Sequence, residues 1–179
     1  PDRGDYRVLQ CTLKVVAQMA GVSKRTIYTH FSGKEHLFRA ALDRLKFDMN
    51  AKLKWSDAAD IQGELVAYGR QVRAYVLSDK VLKAFRLVER SMPEMPDLGV
   101  VAEQHTTQLL EALAAYFNKG MKAGVFIDTD PRFLAEHFFS MVIGQSRSRA
   151  LRGLPPEPHR DDAYLNQEIE VFVRGISAA

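Results

Sequence analysis

Residues 12–38 constrain the fold of this chain more than any other stretch, because signals that start and stop helices follow one another there at short intervals. Thr12 can cap a first helix, and Gly21 can end it because glycine readily adopts the left-handed conformation of a tight exit. Ser23 can cap a second, short helix at residues 24–30. The few residues between the two helices predict the steep crossing of a helix-turn-helix.

A third helix is predicted directly after this pair. Ser32 and Glu35 have the spacing of a capping box, in which the serine hydroxyl accepts from the glutamate amide and the glutamate side chain reaches back. In the second helix, Ile27 and Phe31 share one face, so we expect them to fill the small core. The remaining side chains are hydrogen-bonding ones that suit a DNA major groove: Lys24, Arg25, Thr26, Tyr28, Thr29 and His30.

The distribution of charge agrees with this interpretation. The 179-residue chain has a formal net charge of +3. Residues 1–46 hold nine Lys and Arg against four Asp and Glu, whereas the rest of the chain holds sixteen against eighteen. A phosphate-binding surface requires a basic excess beside the short helix, although chance also produces imbalances of this size.

Downstream, breaks and caps predict a helical body. The third helix is expected to continue to about residue 56, and both Asp60 and the Asp130–Pro131 pair start new helices. With no strand pattern or repeat in the sequence, the predicted fold class is all-α. In the body, one helix is predicted to start at Asp60. Further helices are predicted to span residues 81–92, 98–123, 131–151 and 162–175.

The motifs resemble a known family. The string A-G-V-S-K-R-T-I-Y-T-H-F-S-G-K-E-H-L-F (residues 20–38) closely resembles the DNA-binding signature of TetR-like bacterial transcriptional regulators. The body strings V-L-K-A-F-R-L-V-E-R-S-M-P-E-M-P and F-N-K-G-M-K-A-G-V-F-I-D-T-D-P-R-F-L-A-E-H-F-F look like the AefR-like branch. The resemblance implies a three-helix DNA-binding head at 1–46 and a helical ligand-binding and dimerisation body at 47–179. Residues 1–6 look like the loop after the family's usual first helix, so that helix is expected to be missing or truncated.

The resemblance assigns roles within the head. Arg25, Thr26 and Thr29 are expected to face base edges, and Arg25 can pair bidentately with guanine. Tyr28 and His30 match the family's aromatic positions and are expected to touch phosphate. Further phosphate candidates are Lys34, at the start of the third helix, and Thr12, Ser23 and Lys24. For the charged residues the plain alternative is a solvated surface charge, and for Ser23 it is a cap alone.

The resemblance also implies a homodimer, because two short reading helices on a two-fold axis read a near-palindromic DNA operator. Helices 131–151 and 162–175 are expected to form the four-helix interface, since the first is apolar on more than one side. The alternative is that both are central helices of a monomer.

TetR-like bodies usually enclose a small molecule, and adaptable or aromatic side chains suit such a cavity. The candidate ligand contacts are Trp55, Phe85, Arg86, Glu89, Met92, Phe117, Met121, His137, Phe138 and Met141. Each apolar member can equally be ordinary core. Arg86 and Glu89 can equally form surface ion pairs, and for His137 a core histidine is the favoured interpretation.

Other classes of function find little support in the sequence. The five histidines include no i, i+4 pair for a zinc site, and no nucleophile or phosphate-loop motif is present, so we expect no metal, no cofactor and no catalytic residues. No apolar run approaches the roughly 20 residues of a membrane span. We expect a cytoplasmic one-component regulator and favour a repressor over an activator. An apolar effector of unknown identity is expected to release it from its operator. The alternative is a helical small-molecule-binding protein with a vestigial or non-specific DNA-binding head.

Overall fold

The computed structural model describes residues 16–18, 20–43, 53, 55, 60–93, 95–157 and 159–178. Within these ranges the chain is helical, with one isolated antiparallel bridge between Phe126 and Ser177, which confirms the all-α prediction. The predictions on the family's usual first helix, on the Thr12 cap and on the continuation of the third helix past residue 43 fall outside the described residues. The helices are α1 (Lys24–His30), α2 (Lys34–Asp43), α3 (Ile61–Val76), α4 (Asp79–Ser91), α5 (Asp97–Lys122), α6 (Pro131–Leu151) and α7 (Asp162–Ile176).

Two of the predicted helix starts in the body are confirmed by hydrogen bonds to the capping side chains. Asp60 accepts the Gly63 amide at 2.8 Å, and Asp130 accepts the Arg132 amide at 2.8 Å. Pro131 occupies the first turn of α6, where its missing amide proton costs nothing. Local chemistry therefore determines where these helices begin.

The chain divides into two compact units. The first contains α1 and α2 together with residues 83–104, which are the later part of α4 and the start of α5. Two small apolar clusters stabilise it. Ala17 and Ile27 form the first with Leu37 beside them, and Phe38 packs against the second, formed by Val88, Leu98 and Val101. Adjacent residues of α2 thus contact different clusters.

The second unit contains the main core. Its described residues belong to 47–82 and 105–179, and its centre holds Leu65, Phe117, Phe138 and Leu165, all fully buried. The chain end is attached by backbone hydrogen bonds on both sides of the bridge: the Ile127 amide donates to the Ile176 carbonyl at 2.8 Å, and the Ala178 amide to the Val125 carbonyl at 2.9 Å.

Candidate nucleic-acid interface

The short helix α1 is held by defined contacts at both ends. The Ser23 hydroxyl accepts the Thr26 amide at 3.0 Å and lies 2.8 Å from the Thr26 hydroxyl. At the other end, the Phe31 amide donates to the Ile27 carbonyl at 2.8 Å. A capping bond of this kind contributes about 1 kcal/mol, which matters for a helix of seven residues. Ser23 therefore acts as the cap that its sequence position predicts.

The turn before α1 needs its glycine. Gly21 has a φ of +66°, in the left-handed region. Its amide donates to the Gln18 carbonyl at 3.2 Å, and the Val22 amide donates to the Ala17 carbonyl at 3.0 Å. These two bonds close the preceding helical turn with the pattern of a glycine C-cap, so the predicted end of that helix is confirmed.

One side chain anchors α1 and the others face outward. Ile27 is only 7% exposed and lies with Ala17 in the small cluster. All other residues of α1 are exposed, and the ring of Tyr28 is 51% exposed. The structure thus leaves six of the predicted DNA-contacting residues exposed: Lys24, Arg25, Thr26, Tyr28, Thr29 and His30.

Several of these side chains already have partners within the helix. The Thr29 hydroxyl donates to the Arg25 carbonyl at 2.9 Å, so its oxygen remains available as an acceptor and its methyl group as an apolar contact. The ammonium of Lys24 lies 5.5 Å from the centre of the Tyr28 ring, a cation–π distance. With its donor occupied, Thr29 can accept from an adenine or cytosine amino group or contact a thymine methyl.

The start of α2 departs from the predicted capping box. The Ser32 amide donates to Nδ1 of His36 at 3.3 Å, where the sequence predicted that Glu35 would reach back. The Glu35 carboxylate instead accepts from Arg39 at 3.0 Å. Sequence reasoning missed His36, although its i, i+4 spacing from Ser32 was a usable signal. The backbone of Lys34 opens α2 as predicted, and its side chain lies outside the description.

The candidate ligand residues belong to both compact units. Those in the first unit are Phe85, Arg86, Glu89 and Met92; the first two are half-buried and the last two exposed. Those in the second unit are Trp55, Phe117, Met121, His137, Phe138 and Met141.

Within the second unit these side chains have different environments. Phe117 and Phe138 are fully buried at the centre of the core, with ring centroids 6.3 Å apart. Trp55 packs edge-on against Tyr116 at 5.2 Å. His137 is exposed, its Nδ1 3.3 Å from the Phe133 carbonyl, so the interpretation as a core histidine is wrong. The reason is helical phase: Phe138, its neighbour on α6, takes the inward position.

Two further features of the described residues bear on other functions. No described helix combines the length and apolarity needed to cross a bilayer. No three His, Cys, Asp or Glu side chains among the residues with a described placement lie where they could hold a metal ion together.

Two family models match this chain. Residues 10–41 match the model described as "Bacterial regulatory proteins, tetR family". Residues 63–175 match the model described as "AefR-like transcriptional repressor, C-terminal domain". The two matches cover the helix-turn-helix and most of the body.

Individual relatives and solved structures agree with the two family matches. A curated Bacillus subtilis protein, the uncharacterized HTH-type transcriptional regulator YhgD, is 30% identical over 129 residues, 69% of this chain. The match spans 65% of that relative's length. The structure of a putative TetR-family transcriptional regulator from Mesorhizobium loti is 25% identical to this chain and superposes with a TM-score of 0.76. The match covers 94% of this chain and 87% of the Mesorhizobium loti chain. The Flavonoid-responsive Regulator FrrA shares the fold at 23% identity with a TM-score of 0.75, covering 94% of this chain and 88% of its own.

Proposed function

The chain belongs to the TetR family of bacterial transcriptional regulators, and from that premise we propose that it is a one-component repressor that binds a near-palindromic operator as a dimer. In this proposal, residues 1–46 are the DNA-binding domain and residues 47–179 bind the effector and form the dimer. Such a repressor acts in the cytoplasm, where the chromosome lies. One observation carries the proposal: α1 buries Ile27 and exposes every other side chain.

The exposed face of α1 has the chemistry of base and phosphate contacts. Arg25 is the residue to pair with guanine, through the two acceptors that this base offers in the major groove. Thr26 and Thr29 lie on the same short helix and supply hydroxyl and methyl contacts. The Thr26 hydroxyl also lies at the Ser23 cap, so its first role is to hold the helix in shape and its second is to contact a base.

Phosphate contacts would surround this reading surface. The Lys24 ammonium lies over the Tyr28 ring, and the ammonium and the tyrosine hydroxyl can each donate to a phosphate. His30 lies at the end of α1, and Lys34 lies at the start of α2, where backbone amides favour an anion. Ser23 and Thr12 complete the proposed set. Contacts of this kind fix the register of the protein on the duplex and carry no sequence information.

Dimerisation would use α6 and α7. Phe133 on α6 is 49% exposed and Val171 on α7 is 68% exposed, and large apolar side chains at such positions indicate an interaction surface. The outward face of α6 also has few charges, as interface cores do. Its exposed members are Phe133, Glu136, His137, Ser140, Gly144, Gln145 and Ser148.

Release by a small molecule completes the proposal. A ligand that prefers the body conformation with mismatched head spacing must weaken operator binding, and the operator must weaken ligand binding by the same factor. FrrA, which shares this fold, is a flavonoid-responsive regulator by its name. Within the second unit, the proposed ligand contacts are Trp55, Phe117, Met121, His137, Phe138 and Met141. The contacts predicted from the sequence at Phe85, Arg86, Glu89 and Met92 stay predictions.

A selection experiment tests the proposal. The full chain is incubated with sheared genomic DNA at two salt concentrations, and retained fragments are sequenced. A repressor retains a few fragments tightly, with affinity falling steeply as salt rises because each phosphate contact releases counterions. Lys122→Ala, which removes an exposed positive charge at the end of α5, is the charge-matched control for Arg25→Ala. If wild-type protein retains fragments without preference or not at all, the head is vestigial and the helical small-molecule-binding alternative holds.

A further inference from the structure

Helix α3 carries a line of polar side chains along its buried side. Glu64, Tyr68, Gln71 and Tyr75 are buried or half-buried and are spaced by four, three and four residues. Such spacing places all four within one narrow stripe of the helix surface. The charged residues Arg70 and Arg73 lie outside this stripe, where Arg70 pairs with Asp162 at 2.9 Å.

Only part of the line is satisfied by the protein. At one end, the Tyr116 hydroxyl donates to the Glu64 carboxylate at 2.9 Å. One turn further along, the hydroxyl of Tyr68 and the side-chain oxygen of Gln71 are buried and have no hydrogen-bond partner among the residues that the structure describes. Tyr68 is 2% exposed, so bulk water does not compensate for the missing bond.

Two such atoms on residues three apart in one helix call for a physical cause. A buried polar group without a partner costs about 1–3 kcal/mol, and native proteins contain few of them. Burial also raises the pKa of Tyr68, so its hydroxyl stays protonated and can donate a hydrogen bond. In a helix, side chains lean toward the N-terminus, which directs Gln71 back to the turn that carries Tyr68.

The surroundings of this line are aromatic. The Tyr68 ring lies 6.1 Å from the Phe138 ring. The Tyr116 ring, at the satisfied end, lies 5.8 Å from Phe117 and 5.2 Å from Trp55. Apolar walls with a few convergent polar atoms are the usual composition of a small-molecule site.

We propose that Tyr68 and Gln71 are the polar anchor of a binding site for a neutral hydroxylated aromatic molecule. The ligand hydroxyl accepts from Tyr68 and donates to the Gln71 oxygen, and its ring packs among the neighbouring aromatic side chains. One hydroxyl meets both needs because it has one proton to donate and lone pairs to accept with. A carboxylate cannot meet both needs, because it has no proton to donate to Gln71. The identification of this ligand as the effector rests on the proposed function.

Matched probes test the site without DNA. Calorimetry measures the binding of 4-ethylphenol against 4-ethyltoluene and of 2-naphthol against 2-methylnaphthalene, pairs in which a methyl group replaces the hydroxyl. The wild-type protein should bind at least one phenol about tenfold or more tightly than its partner, as one to two net hydrogen bonds imply. Tyr68→Phe and Gln71→Leu should each reduce that ratio toward one. Equal binding within both pairs, or no binding of any of the four probes, overturns the proposal.

The melting temperature of the ligand-free protein gives an independent readout. Tyr68→Phe removes a hydroxyl that has no partner in the described part of the chain, so the melting temperature should stay the same or rise. Tyr116→Phe, the matched control, breaks the bond to Glu64 and should lower it. If both variants lower the melting temperature equally, the Tyr68 hydroxyl has a structural partner and the proposal is wrong. Release of operator DNA by the bound phenol is a separate measurement, so failure of the repressor proposal would leave the ligand result intact.

Discussion

The turn before α1 allows a sharp test with two glycines that differ in one property. A Cβ atom added at Gly21 or at Gly33 meets nothing within 4 Å, so neither substitution creates a clash. Gly21 has a φ of +66°, whereas Gly33 lies outside the left-handed region. The left-handed conformation costs an ordinary L-residue about 1–2 kcal/mol. Gly21→Ala should therefore destabilise the head by about that amount through backbone strain alone.

Hydrogen exchange measures this effect locally. The Phe31 amide, bonded to the Ile27 carbonyl at 2.8 Å, reports the opening of α1. Its protection should fall by a factor of about 5–30 in Gly21→Ala, which corresponds to 1–2 kcal/mol. Gly21→Asn should lose less, because asparagine tolerates this conformation. Gly33→Ala should match or exceed the wild type, since a substitution without strain reduces the entropy of the unfolded chain. Equal losses at both glycines would refute the reasoning.

Three further predictions concern the body. Gly120→Ala should lower the free energy of unfolding by about 1–3 kcal/mol in urea denaturation, because the new Cβ would lie 2.3 Å from the Phe126 ring; a gain in stability would show that the ring moves freely. Asp130→Ala should cost about 1 kcal/mol by removing the cap of α6, measured in the same way, and an unchanged midpoint would contradict that role. Phe133→Asp and Val171→Asp should each shift the protein from dimer to monomer in analytical ultracentrifugation, whereas a persistent dimer would place the interface elsewhere.

The features that sequence predicted well are those set by neighbouring residues. Gly21, Ser23 and Asp130 each act within a single turn of helix, so their roles can be predicted from the neighbouring sequence alone. The outward face of α1 was predictable for the same reason, because Ile27 is the apolar residue that helical spacing directs to the small core.

The features that sequence did not predict depend on distant contacts or on competition between partners. Residues 83–104 join the first unit because Val88 and Leu98 pack in the cluster that Phe38 contacts, a non-local arrangement. Glu35 leaves the predicted capping box because Arg39 offers it a charged partner. The lack of a hydrogen-bond partner for the Tyr68 hydroxyl among the described residues could not be predicted from the sequence. Periodicity predicts which side of a helix is buried, but it does not predict which buried atoms form hydrogen bonds.

The most direct test of the central claim, that the exposed face of α1 reads base edges, compares two single substitutions on one selected operator and its point variants. Arg25→Ala should reduce discrimination at one guanine by about 1–3 kcal/mol and leave the other positions unchanged. Lys34→Ala should weaken binding to all sequences alike and reduce the salt slope by about one. If both substitutions weaken every duplex equally, Arg25 contacts only the phosphate backbone and α1 does not read the sequence through it.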